Sequence, residues 1–368
     1  MDVTKRLAAT LGAVLLVLGL LDGLLWLTVE GAPFLLEPHE LREPGMVLAK
    51  LQALERQADD RPTVVTTGSS VVFGRAMERH GDDAWQDHTL AAELSKQLDA
   101  KALNLGMDGM LPTDIEAVVE LLVRRARRPD LLVFDVNLRA FSADFADGAA
   151  QVSRPWLREL AGLAPLGNSS DPVDLHPAAT LERSLHRFLV DHWSLYQLRS
   201  SLQERLFGGG PGTRLAAGWR QLNDRLRPPP KLTDKEVEEQ TFEDELSLIM
   251  KTKGRLATAA LDVEHPQRDA LVRSLERLAA AGQRTVVFYA TENPYLAPQL
   301  LSERQTRDMR DQLKALVDRH GGEAVTYVPP LPQLGASRFL DPSHLDAEGH
   351  RVLAEVVAAA FRPTLEEG

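Results

Sequence analysis

Five short, mostly apolar runs, four of them holding β-branched residues, punctuate the chain, and they constrain its fold more than any other feature. They are Val64–Thr67, Ala102–Leu105, Leu131–Val136, Thr285–Tyr289 and Val325–Val328. Each has strand length, not helix length. Between them lie stripes at helical spacing: Leu90, Leu94 and Leu98; Ile115, Val118, Val119, Leu122 and Val123; Leu271, Leu275 and Leu278; Met309, Leu313, Leu316 and Val317. Thr113 with Glu116 has the spacing of a capping box, and Ser302 is placed to cap the helix after it. Such alternation predicts an α/β chain with a parallel sheet covered on both faces, and ligands at the carboxyl ends of the strands. Ser70, Gly106, Asn137 and the loop before His344 all fall just past such ends.

The alternation is interrupted. After Phe141 comes a long stretch with helical patterns, broken by a glycine-rich run at 208–212 and by Pro228-Pro229-Pro230. It reads as a helical insertion over the sheet. The glycine run lacks the Lys-Ser/Thr of a phosphate-binding loop. At the other end, Lys5 and Arg6 precede residues 7–29, whose only charge is Asp22. At ~1.5 Å per residue this run crosses a hydrocarbon core of roughly 30 Å. The preceding positive charges put the N-terminus in the cytoplasm and the rest outside. A cleavable signal peptide is the alternative. The expected organisation is therefore an anchor (1–31), a connector ending in a short amphipathic helix with Val47, Leu48, Leu51 and Leu54 (32–61), the first part of the α/β domain (62–141), the insertion (142–260) and its second part (261–368).

The net charge of -11 argues against a nucleic-acid-binding face. With no cysteine there are no disulfides, thiolate metal sites or cysteine nucleophile. None of the histidines has metal-ligand spacing, so no metal or other cofactor is expected. His350 is expected on the outer face of the last helix.

What remains suits acyl chemistry. Gly68 ends the first strand in a sharp turn and presents Ser69 and Ser70 where a helix can begin. Ser70 is the candidate nucleophile, with Ser69 supporting the turn. His344 is the candidate base, because imidazole takes up and releases protons near neutrality. Asp341, three residues earlier, reaches the far imidazole nitrogen if the segment makes one helical turn; it also suits an N-cap ahead of Pro342, and both roles are compatible. Gly106 offers an unobstructed backbone N–H and Asn137 a side-chain amide. With the Ser70 N–H they would form an oxyanion hole. An ordinary turn at Gly106 and an ordinary cap at Asn137 are the alternatives. Thr291–Tyr295 follows the fourth strand, as a substrate contact or a plain proline turn.

These residues carry a resemblance. Gly68-Ser69-Ser70-Val71-Val72-Phe73-Gly74 resembles the first block, G-D-S-x-x-x-G, of the SGNH (GDSL-type) hydrolase superfamily, with Ser69 at the usual aspartate. Asn104-Leu105-Gly106 with Gly109 is similar to the second block. Asp135-Val136-Asn137-Leu138 matches the third, G-x-N-D, only at Asn137. Asp341-Pro342-Ser343-His344 resembles the fifth, D-x-x-H. The resemblance implies a three-layer, doubly wound, five-stranded parallel sheet of flavodoxin-like type, and an acyl-serine intermediate on Ser70. It also implies oxyanion donation by Gly106 and Asn137. A Gly-Ser-Ser turn behind a single N-terminal anchor is closest in layout to membrane-anchored proteins of surface-polymer acylation, DltD-like or of the alginate O-acetylation kind. That layout implies an extracytoplasmic acyltransferase or esterase acting on a cell-surface glycan, beside a polytopic membrane-bound O-acyltransferase. A lipase or esterase of small esters, or a degenerate domain that binds glycan or scaffolds an acyltransferase, are the alternatives.

Overall fold

The computed structural model describes residues 12–14, 16–23, 44–55, 60–146, 154–164, 253–261, 264–295, 302–331 and 334–361, with single residues at 10, 188, 193 and 250. Most of residues 142–260, including the glycine run and the triple proline, lie outside them. So does part of the expected anchor at 7–29. Among the described residues no helix is long and apolar enough to cross a membrane. The chain divides into two units. One comprises Met1–Gln57 with Val173–Thr233, and the other Ala58–Pro172 with Asp234–Gly368. In the first, helix α1 (Pro44–Glu55) buries Val47, Leu48, Leu51 and Leu54, as the apolar spacing predicts.

The second unit carries the sheet. Its strands are β1 (Thr63–Thr67), β2 (Lys101–Asn104), β3 (Leu131–Val136), β4 (Thr285–Tyr289) and β5 (Val325–Val328). All pair in parallel, in the order β2-β1-β3-β4-β5. This is the flavodoxin-like doubly wound order, in which the chain reverses direction across the sheet between β1 and β3. β1, β3 and β4 are buried along their whole length, which is why they read as continuous apolar runs.

Two helical layers cover the sheet. On one face, α3 (Leu90–Leu98) packs on α8 (Ala347–Phe361) over Val64, Leu131, Val133, Val286, Phe288 and Val328. Strand alternation sends Val65, Leu132, Phe134 and Val287 to the other face, where they are equally buried. There α4 (Pro112–Val123) packs on α6 (Pro266–Ala280), and α6 on α7 (Glu303–His320). α5 (Pro155–Leu160), within the expected insertion, packs on α4. Arg158 donates to the buried Glu116 at 2.6 Å, and Arg273 of α6 donates to the same carboxylate at 2.5 Å.

One local expectation changes and another holds. α4 does not begin with a Thr113–Glu116 box: Pro112 takes its first turn, which suits proline, and Asp114 accepts the Leu111 N–H at 2.9 Å instead. Glu116 is thereby left to hold its two arginines. α7 begins at Ser302, whose side chain accepts the Gln305 N–H while Gln305 accepts the Ser302 N–H. The Ala260 N–H donates to the Phe141 carbonyl at 3.2 Å, joining the two ends of the expected insertion. His265 caps α6 through Nδ1 and meets the Ser142 carbonyl at 3.0 Å through Nε2.

Candidate active site

Gly68 follows β1 with φ of 139°, a conformation open to glycine. A Cβ there would lie 1.9 Å from Asp135 Oδ1. The missing side chain lets a buried carboxylate reach across from β3. Asp135 Oδ1 accepts the Ser69 N–H at 2.7 Å, and Oδ2 accepts the Ser69 hydroxyl at 2.5 Å. Burial raises the Asp135 pKa, while the Ser69 bonds and the charge of Arg139 oppose the rise. Ser69 is thus fixed as N-cap of α2 (Ser70–Phe73), its Oγ accepting the Val71 N–H at 3.3 Å. Ser70 becomes the first residue of that short helix, half-buried, with an amide that has no acceptor within the helix.

His344 comes to the same point from the loop before α8. Its Nε2 lies 2.7 Å from Ser70 Oγ, and its Nδ1 lies 2.5 Å from Asp341 Oδ2. The other oxygen of Asp341 accepts the Ser343 and His344 N–H groups at 2.8 and 2.9 Å. Orienter and cap are therefore one residue. Burial alone would raise the Asp341 pKa. The hydrogen bond and charge of His344, with the two amides, outweigh burial and hold it down to about 2. An ionised Asp341 only accepts, so the network assigns the imidazole proton to Nδ1. The Nε2 lone pair then faces the Ser70 hydroxyl, which donates to it. This is the arrangement in which a serine can attack a carbonyl while the histidine takes its proton.

The oxyanion candidates are placed differently from one another. Asn137 Oδ1 accepts from both the Arg139 N–H at 3.0 Å and Arg139 Nε at 3.1 Å. Because both partners are donors, the amide orientation is fixed and Nδ2 is turned away from them. Gly106 sits where a Cβ would fall 2.7 Å from the Phe73 nitrogen, so its bareness serves the close approach of α2. Its N–H donates to Asn104 Oδ1 at 2.8 Å. That amide is occupied within its own turn, and the Ser70 N–H and Asn137 Nδ2 are the two candidates with no acceptor among the described residues.

Several participants carried little signal in the sequence. Asp135 is one charge inside an otherwise apolar strand, and that contrast was its only mark. Asn104 donates to the Val72 and Phe73 carbonyls at 3.3 Å each and so holds the end of α2. Arg139 donates to Ser343 Oγ at 3.3 Å, tying the loop after β3 to the loop of His344. Beyond β4, Glu292 is buried beside Arg139 and accepts the Tyr289 hydroxyl at 2.5 Å. His350 is not on the outer face of α8. It is 1% exposed, with burial first and then the charges of His344 and His88 lowering its pKa to about 3. Among the described residues no group of His, Cys, Asp and Glu is disposed to hold a metal.

Fold and site together bring a serine, a histidine and an aspartate into line beside a five-stranded parallel sheet, an arrangement suited to acyl-ester chemistry. No family model and no curated protein matches the chain. Among solved structures it is similar to the salicylyl-acyltransferase SsfX3 from a tetracycline biosynthetic pathway, at 12% identity and a TM-score of 0.36. That match covers 83% of this chain, which spans 56% of the other's length. It is also similar to a carbohydrate acetylesterase family member from Sinorhizobium meliloti, at 14% identity and a TM-score of 0.32, covering 83% of this chain and 99% of that one.

Proposed function

We propose that the chain is a membrane-anchored, extracytoplasmic serine acyltransferase or esterase acting on O-acyl groups of a cell-surface glycan. One observation carries the chemistry: the line from Ser70 Oγ through His344 to Asp341, with spans of 2.7 and 2.5 Å. Ser70 Oγ attacks the acyl carbonyl as its proton passes to His344 Nε2. The Ser70 N–H and Asn137 Nδ2 stabilise the oxyanion, and His344 returns the proton to the leaving oxygen. Water or a sugar hydroxyl then attacks the acyl-serine by the same steps in reverse, so hydrolysis and transfer differ only in which acceptor arrives. Anchoring through residues 7–29, the glycan acceptor and a polytopic O-acyltransferase partner are drawn from the sequence reading.

A fluorophosphonate probe should label the wild-type protein and fail on Ser70→Ala, with unfolding temperature unchanged within a few degrees. Labelling that survives the substitution would defeat the assignment. Mass spectrometry of the Ser70 peptide after incubation with candidate acyl donors would identify the acyl group. The commitment of the Gly106 N–H to Asn104 supports a second reading, a domain with an incomplete oxyanion hole that binds glycan without turnover. Wild-type protein that binds glycan and never labels would select it.

A further inference from the structure

Arg139 takes no part in moving a proton or an acyl group, yet its side chain reaches both loops that build the site. It lies three residues past β3, in the short turn Leu138–Phe141 that Asn137 caps. Its Nε donates to Asn137 Oδ1 at 3.1 Å, and its Nη2 donates to Ser343 Oγ at 3.3 Å. Ser343 is buried between Asp341 and His344 in the chain, with its own N–H spent on Asp341 Oδ1. One planar guanidinium is thus held at two edges, and the direction of its Nε–H is fixed.

The bond from Nε is not needed for the cap. The Arg139 backbone N–H already donates to Asn137 Oδ1 at 3.0 Å, which orients the amide and closes the turn. What the side chain adds is charge. Hydrogen bonds from ionised donors are roughly twice as strong as neutral ones, and bonds in a chain polarise one another. A cation on the amide oxygen draws electron density from Nδ2 and makes its protons more positive.

The surroundings keep that cation in place. Burial lowers the Arg139 pKa, the charges of Glu292, Asp341 and Asp135 act against the fall, and Arg255 acts with it. The guanidinium stays protonated. With three carboxyl groups near it, Arg139 is a poor seat for an anionic group of a substrate. We propose that Arg139 is a positioning residue for acyl transfer: braced by Ser343, it fixes and polarises the Asn137 amide, so that Nδ2 meets the oxyanion as a strengthened donor. The inference rests on the reading of Ser70 as nucleophile and of Asn137 Nδ2 as oxyanion donor.

The test is the saturating rate of fluorophosphonate labelling in the full-length chain, through a cycle of Asn137→Ala and Arg139→Met. The phosphoryl oxygen of the probe takes the oxyanion position, so this rate reads the donors there. Asn137→Ala should lower it on the order of 100-fold. Arg139→Met should lower it at least tenfold, with the half-saturating probe concentration within threefold of wild type and the fold kept by circular dichroism. In the Asn137→Ala background the same change should cost less than threefold, because the amide it acts through is gone. Equal costs in both backgrounds would make Arg139 a mere brace between loops and overturn the proposal. A wild-type rate in Arg139→Met, or a loss confined to the half-saturating concentration, would also overturn it. If Arg139→Met does not fold, Arg139→Gln is read by the same criteria. Wild-type labelling that Asn137→Ala leaves unchanged removes Asn137 as a donor, and the Arg139 proposal with it, while Ser70 stands. Wild-type protein that never labels removes both.

Discussion

Asp135 supports the Ser69–Ser70 turn from a neighbouring strand. In the SGNH-like first block the carboxylate precedes the serine; here Ser69 stands there, and the carboxylate arrives from β3 to bind it through both oxygens. Asp135→Ala leaves a buried N–H and a buried hydroxyl without that partner, at about 1–3 kcal/mol. We predict a lower unfolding temperature and labelling of Ser70 slowed at least tenfold. The paired change Ser69→Asp with Asp135→Gly should recover labelling beyond Asp135→Ala. A pair no faster than the single variant would show that Asp135 does not position the turn. Acid stability is also set by single residues. The folded pKa of Asp341, about 2, lies below its unfolded value of about 3.9. Its contribution, about 2 kcal/mol, is complete above the unfolded value and disappears as pH falls through 2. His350 is neutral when folded down to about 3, whereas an unfolded histidine protonates near about 6.5, so stability declines as pH falls through that interval. Melting curves from pH 7 to 3 should slope less for His350→Leu than for wild type. Parallel curves would refute this.

Among the elements, the short helix α2 is the most constrained. Gly106→Ala would push a Cβ to within 2.7 Å of the Phe73 nitrogen, and backbone must shift to admit it. Overpacking of this kind costs about 1–3 kcal/mol. Displacement of α2 should cost labelling more than stability: at least tenfold in rate, with a fall of only a few degrees in unfolding temperature. Unchanged labelling would show that the contact is slack. The strands could be read from the sequence because burial on both faces leaves an uninterrupted apolar run. That same averaging hid Asp135. The last helix could have been read more fully, since His350, Leu353, Ala354, Val357, Ala358 and Phe361 share one buried stripe at helical spacing. Polarity made His350 look like an outward residue, although its position marked it as core. Pro112 likewise displaced the start of α4 from the spacing at Thr113. The pairing of Ser70 with His344 was legible from residue type, from their place past strand ends and from the resemblance of their motifs, but not as a distance. Their distance belongs to the sheet order, which no local pattern encodes.

At the scale of the whole chain, residues 7–29 lead to a prediction about partition. Full-length protein should stay with membranes after an alkaline wash, and a version lacking residues 1–31 should be released. Release of both would remove the anchor from the proposal. The meeting of Phe141 and Ala260 has a further consequence. Replacing residues 165–249 by a short glycine–serine linker, while keeping α5 and the Arg158 contact with Glu116, should leave Ser70 labelling within about threefold of wild type, as loop-closure entropy changes slowly with length. Loss of labelling with the sheet still folded would make that segment part of the active site. A pin of this kind would let the segment between the two residues vary in length while the Ser70–His344–Asp341 line keeps its alignment.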